Sequence, residues 1–247
     1  MEETRIVLVR HGESRSQESR TVGGHTGCKG LSDRGRTQVE ALRDRLARTG
    51  ELSGAAALYS SVMARAVETA EILAPALDGL EVASECAFCE SHPGPEADGL
   101  EVDEYERRWP PTGEWSPTTR RDPGGETYAE MRERVSGRLD ELVERHRGET
   151  VVVACHGGVV LHSLYRWLDI AVPDRREVAW FNPLNASMTE WRFGDNPYRG
   201  TLPVQLVRYN DAAHLAGVEP GPRAARQRDD DPRAAEAAKK RVAGGDR

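Results

Sequence analysis

Three short apolar runs, each ending in polar residues, limit what this chain can fold into more than any other feature. Residues 5–9 (RIVLV), 55–60 (AAALYS) and 151–155 (VVVAC) are continuous rather than alternating. A strand with one face in water alternates apolar and polar side chains, whereas a continuous, β-branched run fits a strand covered on both faces. Between the runs the apolar period becomes helical. Val39, Leu42 and Leu46 recur on one face after LSDRG, with Ser32 placed as an N-cap. Thr127 and Glu130 form a capping box ahead of Met131, Val135, Leu139, Leu142 and Val143. Strands alternating with helices predict an α/β fold, a three-layer sandwich with a mostly parallel central sheet and helices on both faces.

From Ser187 the pattern turns to alternation. Thr189, Trp191 and Phe193 share one side of a run, and a second run over 202–209 follows a Gly/Asn/Pro-rich turn. This predicts an edge hairpin, and a homodimer joined through the edge strands near Trp191 is carried as a hypothesis. Past Leu215 the chain reads EPGPRAARQRDDDPRAAEAAKKRVAGGDR, with little to bury. The expected organisation is one catalytic domain over 1–215 and a disordered polar tail over 216–247, with a transient helix at 232–242. Residues 86–125 carry Pro93, Pro95, Pro110, Pro111, Pro117 and Pro123. That segment should be loop-rich with a short helix near 102–109, and a loop of such length is usually functional.

Composition excludes several classes. Lys and Arg total 34 against 41 Asp and Glu, a formal charge of −7, which argues against a general nucleic-acid or anionic-membrane surface. The start, MEETR, has no apolar core, and no run approaches the roughly 20 apolar residues that span a bilayer. A cytoplasmic protein with neither membrane nor nucleic-acid partners is expected. Cys28, Cys86, Cys89 and Cys155 are too few for a disulfide scaffold in 247 residues. Cys86 and Cys89 form C-x-x-C, a spacing that could hold zinc or a redox pair. No second C-x-x-C accompanies it, so it receives neither role. No nucleotide-binding glycine motif occurs, and no cofactor or metal is expected.

In open α/β sheets, ligands bind beyond the carboxyl ends of the strands. The first apolar run ends in Arg10, His11 and Gly12; the second leads into SSVMARAVETA, with Arg65 on the first turns of a helix; the third ends in Cys155, His156, Gly157 and Gly158. Two arginines and two histidines can therefore converge on one crevice. Guanidinium groups make charge-assisted bidentate bonds to phosphate oxygens, each worth about 1.5–3 kcal/mol. Helices that start after glycines offer free N–H groups and a positive dipole end. Adjacent cations disfavour imidazolium, which helps to keep His11 neutral and nucleophilic toward phosphorus. With so much positive charge present, the chemistry needs no metal. His146 and His162 fall within predicted helices, where a solvated or packed role is the default.

LVRHGES, the S-S-x-x-x-R-A-x-x-T-A run and ACHGG together resemble the histidine phosphatase superfamily, with its phosphoglycerate-mutase-like fold. GLSDRGRTQVEAL, DPGGET and NASMTEW resemble further segments of that family, and the similarity spans about 5–215. The resemblance implies that His11 is the nucleophile that becomes phosphohistidine. It places Arg10, Arg65, His156 and the adjoining Gly157 around the phosphoryl oxygens. The family's proton donor matches Glu90 in CESHPG, with Glu85 and Glu96 as second and third candidates. Glu13 matches a family glutamate for which a structural role is as good a reading as a chemical one. Gln17 stands where many members carry Asn, one methylene longer, and is retained as a phosphate-binding candidate.

Three functions follow from the resemblance: a metal-independent phosphomonoesterase acting on a small phosphorylated metabolite, a phosphoglycerate-type mutase, and a non-catalytic protein that binds a phosphorylated ligand. PGGET, the short span from Glu90 to Gly125 and the absence of an R-S-Y-D run favour the phosphatase. Substrate choice should lie in the loop over 15–30, with Arg15, Arg20, His25 and Lys29, and in the Pro-rich segment with Trp109 and Trp115.

Overall fold

The computed structural model describes residues 3–111, 116–171, 181–194 and 204–218. Its elements in chain order are β1 (Thr4–Arg10), α1 (Arg15–Glu18), α2 (Asp33–Thr49), β2 (Ala57–Ser60), α3 (Ala64–Leu73), β3 (Val82–Ser84), α4 (Val102–Arg108), α5 (Tyr128–Arg145), β4 (Thr150–Cys155), α6 (Gly157–Trp167), β5 (Met188–Phe193) and β6 (Gln205–Asp211). Met1–Ala216 form one compact unit. The strands make a single six-stranded sheet in the order β3-β2-β4-β1-β5-β6. The first four run parallel, and β5 and β6 are antiparallel to their neighbours.

Successive side chains of a strand point to opposite faces, and here both faces are apolar because each is covered. Val7, Val9, Val152 and Ala154 pack against Val39, Leu42 and Leu46 of α2 and Ala70 and Leu73 of α3. Ile6, Leu8, Val151 and Val153 pack on the other side against Met131, Val135, Leu139 and Leu142 of α5 and Val159, Val160 and Leu164 of α6. The three-layer α/β sandwich read from the continuous runs is the fold observed. The helix stripes read from the sequence are the buried faces, and their caps form as expected. Ser32 accepts from Gly35 N, and Thr127 and Glu130 make the reciprocal capping box. Among the described residues no helix is long and apolar enough to cross a membrane.

One expectation needs correction. The C-terminal hairpin exists, but β5 is not an edge strand: it lies between β1 and β6, and of the two hairpin strands β6 alone is at a rim, the opposite rim being β3. Trp191 is fully buried, its Nε1–H donating to Ser163 Oγ at 3.1 Å and its ring 5.1 Å from that of Trp167. The rim next to Trp191 is that of β6, which sets Leu206 opposite it. Alternation marks a strand with two unlike faces and says nothing of which strand takes the rim. The short β3, three residues of which two are exposed, carried too little apolar pattern to be noticed. The turn at 195–203, Trp115 and the tail beyond 218 lie outside the described residues.

β5 looks alternating because it buries a charge. Glu190 is fully buried, and its carboxylate accepts from Arg5 Nε at 3.1 Å, Arg192 Nε at 2.9 Å and Arg208 Nε at 2.8 Å. Arg208 continues to Glu51 at 2.7 Å, and Arg45 bonds both Glu51 and Asp211. The network ties β1, β5 and β6 to the end of α2. A buried carboxylate survives only when its lone pairs are taken by cations. Burial alone would raise the Glu190 pKa, but the bonds from Arg5, Arg208 and Arg192 outweigh it and hold the carboxyl down from 4.5 to about 2. The folded state then binds the Glu190 proton less readily than the unfolded chain does. This contribution is complete above pH 4.5 and is lost as the pH falls toward about 2. We expect urea midpoints to fall over that interval. Glu190→Gln should cost about 3–5 kcal/mol near neutral pH and flatten the acid limb; an unchanged acid limb in the variant would place the loss elsewhere.

Candidate active site

The helix after β1 covers one face of the sheet and the helix after β4 covers the other, so a crevice opens between the carboxyl ends of these neighbouring strands. Their register sets Arg10 opposite Cys155, and His11 N donates to Cys155 O at 2.9 Å. His11 and His156 consequently leave the sheet side by side, with ring centroids 5.0 Å apart and planes at 63°. On the far side of β4, Ser60 pairs with Ala154, and α3 starts shortly afterwards with Arg65 buried on its first turn.

Arg65 joins the two imidazoles. Its Nε–H lies 3.2 Å from His11 Nε2 and 3.3 Å from His156 Nδ1, while its NH1 donates to Gly23 O at 2.7 Å. These contacts determine the tautomers. His11 Nδ1–H donates to Gly12 O at 2.6 Å, so Nε2 keeps its lone pair. His156 is the reverse, with Nε2–H donating to Ser61 Oγ at 2.8 Å and Nδ1 accepting from Arg65. Burial, reinforced by Arg65 and Arg10, lowers the His11 pKa well below 6.5. Burial and then Arg65, His11 and Arg10 do the same to His156. Both rings are neutral at physiological pH.

Arg10 is held at the mouth by Pro183 O and by Asn182 Oδ1 at 3.5 Å. It lies against the start of α6, where a Cβ added to Gly157 would stand 3.7 Å from its Nε. Asn185 Nδ2 donates to His11 O at 3.0 Å and to Gln17 Oε1 at 3.1 Å, and Ala186 N donates to Arg10 O at 2.9 Å. The chain entering β5 thus braces the loop after β1. Because Gln17 Oε1 also accepts from Ser14 N at 3.0 Å, the amide nitrogen is the end left to meet an anion.

Of the three candidate acids, only Glu90 reaches the crevice. Its Oε2 accepts from Gly158 N at 3.0 Å and its Oε1 from Ser91 N at 3.1 Å, placing the carboxylate on the N-terminus of α6. A Cβ on Gly158 would overlap Glu90 Oε1, so glycine there is what lets the carboxylate in. Glu85 instead forks onto Arg138 of α5 at 2.6 and 2.9 Å, and Arg138 holds its carboxyl below the usual range. Glu96 is exposed.

Glu13 faces away from the crevice, toward Ser32 Oγ at 2.9 Å and Arg34; it anchors the loop after β1 to α2. Gly12 packs so closely on Gly35 O that no Cβ would fit. Trp109 packs on Tyr105 with ring centroids 5.5 Å apart, a small apolar contact within the Pro-rich segment. Sequence reasoning gave no role to Ser61, although it lies in the S-S run, nor to Asn185, although it opens NASMTEW.

Two guanidinium groups, helix N–H groups and an imidazole whose unprotonated Nε2 faces the crevice suit a tetrahedral oxyanion and can offer it a nucleophile. Comparison with known proteins agrees with this chemistry. The family model for the histidine phosphatase superfamily (branch 1) matches residues 6–202. The chain is 33% identical over 214 residues to phosphoglycerate mutase-like protein 4 of Arabidopsis thaliana, covering 85% of this chain and 86% of that one. It is 32% identical over 168 residues to the metal-independent phosphoserine phosphatase of the same plant, covering 66% and 68%. Among solved structures, Bacillus stearothermophilus YhfR superposes with a TM-score of 0.68 at 25% identity, covering 86% of this chain and 99% of that one.

The hydrogen bonds make a spectroscopic prediction. Long-range ¹H–¹⁵N spectra should show His11 as the Nδ1–H tautomer and His156 as the Nε2–H tautomer, with neither protonating as the pH is lowered from 8 through 6.5. Titration of either ring near 6.5 would contradict the buried, cation-flanked environment.

Proposed function

This chain belongs to the histidine phosphatase superfamily, and on that footing we propose that it is a metal-independent phosphomonoesterase working through a phosphohistidine on a small phosphorylated metabolite. The observation that carries the reading is the His11 tautomer: Nδ1–H is tied to Gly12 O, and Nε2 presents its lone pair beside Arg65. In the proposed reaction Arg10 and Arg65 hold the phosphoryl oxygens, with Gly157 N and Gln17 as further donors, while His156 Nδ1 accepts the hydrogen bond of the phosphate monoanion's P–O–H. An incoming phosphate takes over the Arg65 N–H that otherwise lies between the two imidazoles. His11 Nε2 attacks phosphorus as the ester P–O bond breaks, and Glu90 gives its proton to the leaving oxygen. The Glu90 carboxylate then takes a proton from water, whose oxygen attacks phosphorus. The P–N bond breaks, and inorganic phosphate and neutral His11 are released.

The similarity to a relative named as a metal-independent phosphoserine phosphatase supports hydrolysis of a small phosphomonoester. The similarity to a phosphoglycerate mutase-like protein supports the second reading, in which the phosphoryl group passes to another hydroxyl. The two differ in whether water reaches the phosphoenzyme. Arg15, Arg20 and Lys29 in the 15–30 loop and the segment after Glu90 would select the rest of the substrate.

Phosphate release from an aryl phosphate and a panel of small alkyl phosphates, with no added divalent cation, tests the proposal. His11→Ala should abolish turnover. Glu90→Gln should lower kcat on alkyl phosphates by about 10²–10⁴ and lower it much less on the aryl ester, whose leaving group needs little protonation. Gly158→Ala, which pushes the Glu90 carboxylate off α6, should reproduce that selectivity in milder form. Activity that survives His11→Ala would end the phosphohistidine reading. Transfer from a bisphosphorylated primer to phosphoglycerate without net phosphate release would replace hydrolysis by the mutase reaction.

A further inference from the structure

Beside the histidine crevice, the C-x-x-C pair gains two histidine partners, one three residues beyond Cys89 and one from far upstream. Cys86 and Cys89 bracket a single 3₁₀ turn after β3, with Cys89 N donating to Cys86 O at 3.0 Å. Both thiols are free, and their sulfurs are 3.3 Å apart. His92 brings Nε2 to 3.4 Å from Cys86 Sγ. His25, 61 residues upstream of Cys86, brings its Nε2 to 3.8 Å from the same sulfur. The four donor atoms all lie within 4.8 Å of one another. A tetrahedral zinc with Zn–S of about 2.3 Å and Zn–N of about 2.0 Å separates its donors by roughly 3.3–3.8 Å, so small side-chain rotations bring the donors to that spacing.

We propose that Cys86, Cys89, His25 and His92 bind a structural Zn²⁺ that ties the 15–30 loop to the segment carrying Glu90. Two thiolates and two imidazoles form a closed four-coordinate set that suits zinc and leaves no position for a reacting water. Loading releases the two thiol protons to solvent, and the two thiolate charges balance the ion. The surroundings are built for this. Asp98 accepts from Gly24 N at 2.9 Å, Thr26 N at 2.7 Å and Gly27 N at 2.9 Å, which fixes the backbone on both sides of His25. Arg134 donates to the carbonyls of Cys86, Ala87 and Cys89 from behind the turn and pairs with Glu126 at 2.6 Å. Glu126 Oε2 in turn accepts from His92 N at 3.2 Å and lies 3.9 Å from His92 Nδ1. A histidine bound through one nitrogen with a carboxylate behind the other is the usual outer shell of a zinc ligand. On the inner side Ser61 Oγ donates to Cys89 Sγ at 3.5 Å and accepts from His156 Nε2. The ion would thus lie two hydrogen bonds from His156 and one residue from Glu90, in the wall of the crevice rather than in the reaction.

The test uses the full chain, reduced with a phosphine, stripped of metal and titrated with Zn²⁺ against a chromophoric chelator, then with Co²⁺ as an optical probe. One Zn²⁺ per chain is expected, with a cobalt spectrum of tetrahedral d–d bands and thiolate charge transfer. Cys86→Ser and His25→Ala should each weaken Zn²⁺ binding by about 100-fold or more. His25 is exposed, so its variant tests the site in a chain that folds, and Zn²⁺ should raise the Tm of the wild type but not of this variant. Failure to compete with the chelator, octahedral cobalt, a Zn²⁺ affinity untouched by His25→Ala, or a Cys86–Cys89 disulfide that forms in preference to the zinc complex would each overturn the proposal. None of these readouts depends on phosphate release, so they stand apart from the phosphatase assay.

Discussion

The parallel pairing of β1 with β4, in the register that sets Arg10 opposite Cys155, is the constraint on which the crevice depends. Two strands that end at the same level deliver their next residues, His11 and His156, to one place. Both rings are then too buried to be charged, and Arg65 reaches them from α3. One guanidinium N–H between two imidazoles keeps both lone pairs directed at it and both rings neutral. Slipping the pairing by one residue would turn the following side chains to the other face and separate the pair.

Much of the surrounding structure serves to hold that register. The glycine contact of Gly12 with Gly35 and the Glu13–Ser32 and Glu13–Arg34 bonds clamp the loop after β1 onto α2. From the opposite side Asn185 and Ala186 bond the carbonyls of Arg10 and His11 as the chain enters β5. Ala186 does so with φ of 57°, a conformation disfavoured for residues with a Cβ. Strain of this kind persists where neighbouring contacts over-determine the backbone, and here it lies next to the proposed nucleophile. Glu190, further along β5, secures the same strand with three arginines.

Glu90 and the proposed zinc site show how one segment can serve two ends. The 3₁₀ turn holding Cys86 and Cys89 runs directly into Glu90, and Gly158 leaves room for that carboxylate on the N-terminus of α6. A helix N-terminus attracts carboxylate through its free N–H groups and dipole. Gly158 N therefore docks the carboxylate of a group that is proposed to change protonation twice in each cycle. Fixing the turn from outside, through His25 and the 15–30 loop, would limit how far Glu90 can swing.

The strands, the helix stripes and the strand-end residues Arg10, His11, Arg65 and His156 were legible in the sequence, because continuous apolar runs and helical periods are local patterns that report burial directly. The choice of Glu90 over Glu85 and Glu96 was not physically decidable there. Three carboxylates within twelve residues differ only in what they meet, and α5 takes Glu85 through Arg138. The rim of the sheet was misread for a related reason: the buried charge of Glu190 imitates a solvent-facing position until its three arginines arrive from β1, β5 and β6. The C-x-x-C spacing was read as able to hold zinc, but the fourth donor of the proposed site was hidden because His25 lies 61 residues from Cys86 and no spacing rule covers that distance. The sequence by itself determined which elements form and what chemistry waits at their ends, since both follow from neighbours along the chain. Which carboxylate enters the crevice, which strand is interior and which histidines meet Cys86 were decided only by tertiary structure, because those pairings are made through space by side chains that share no local pattern.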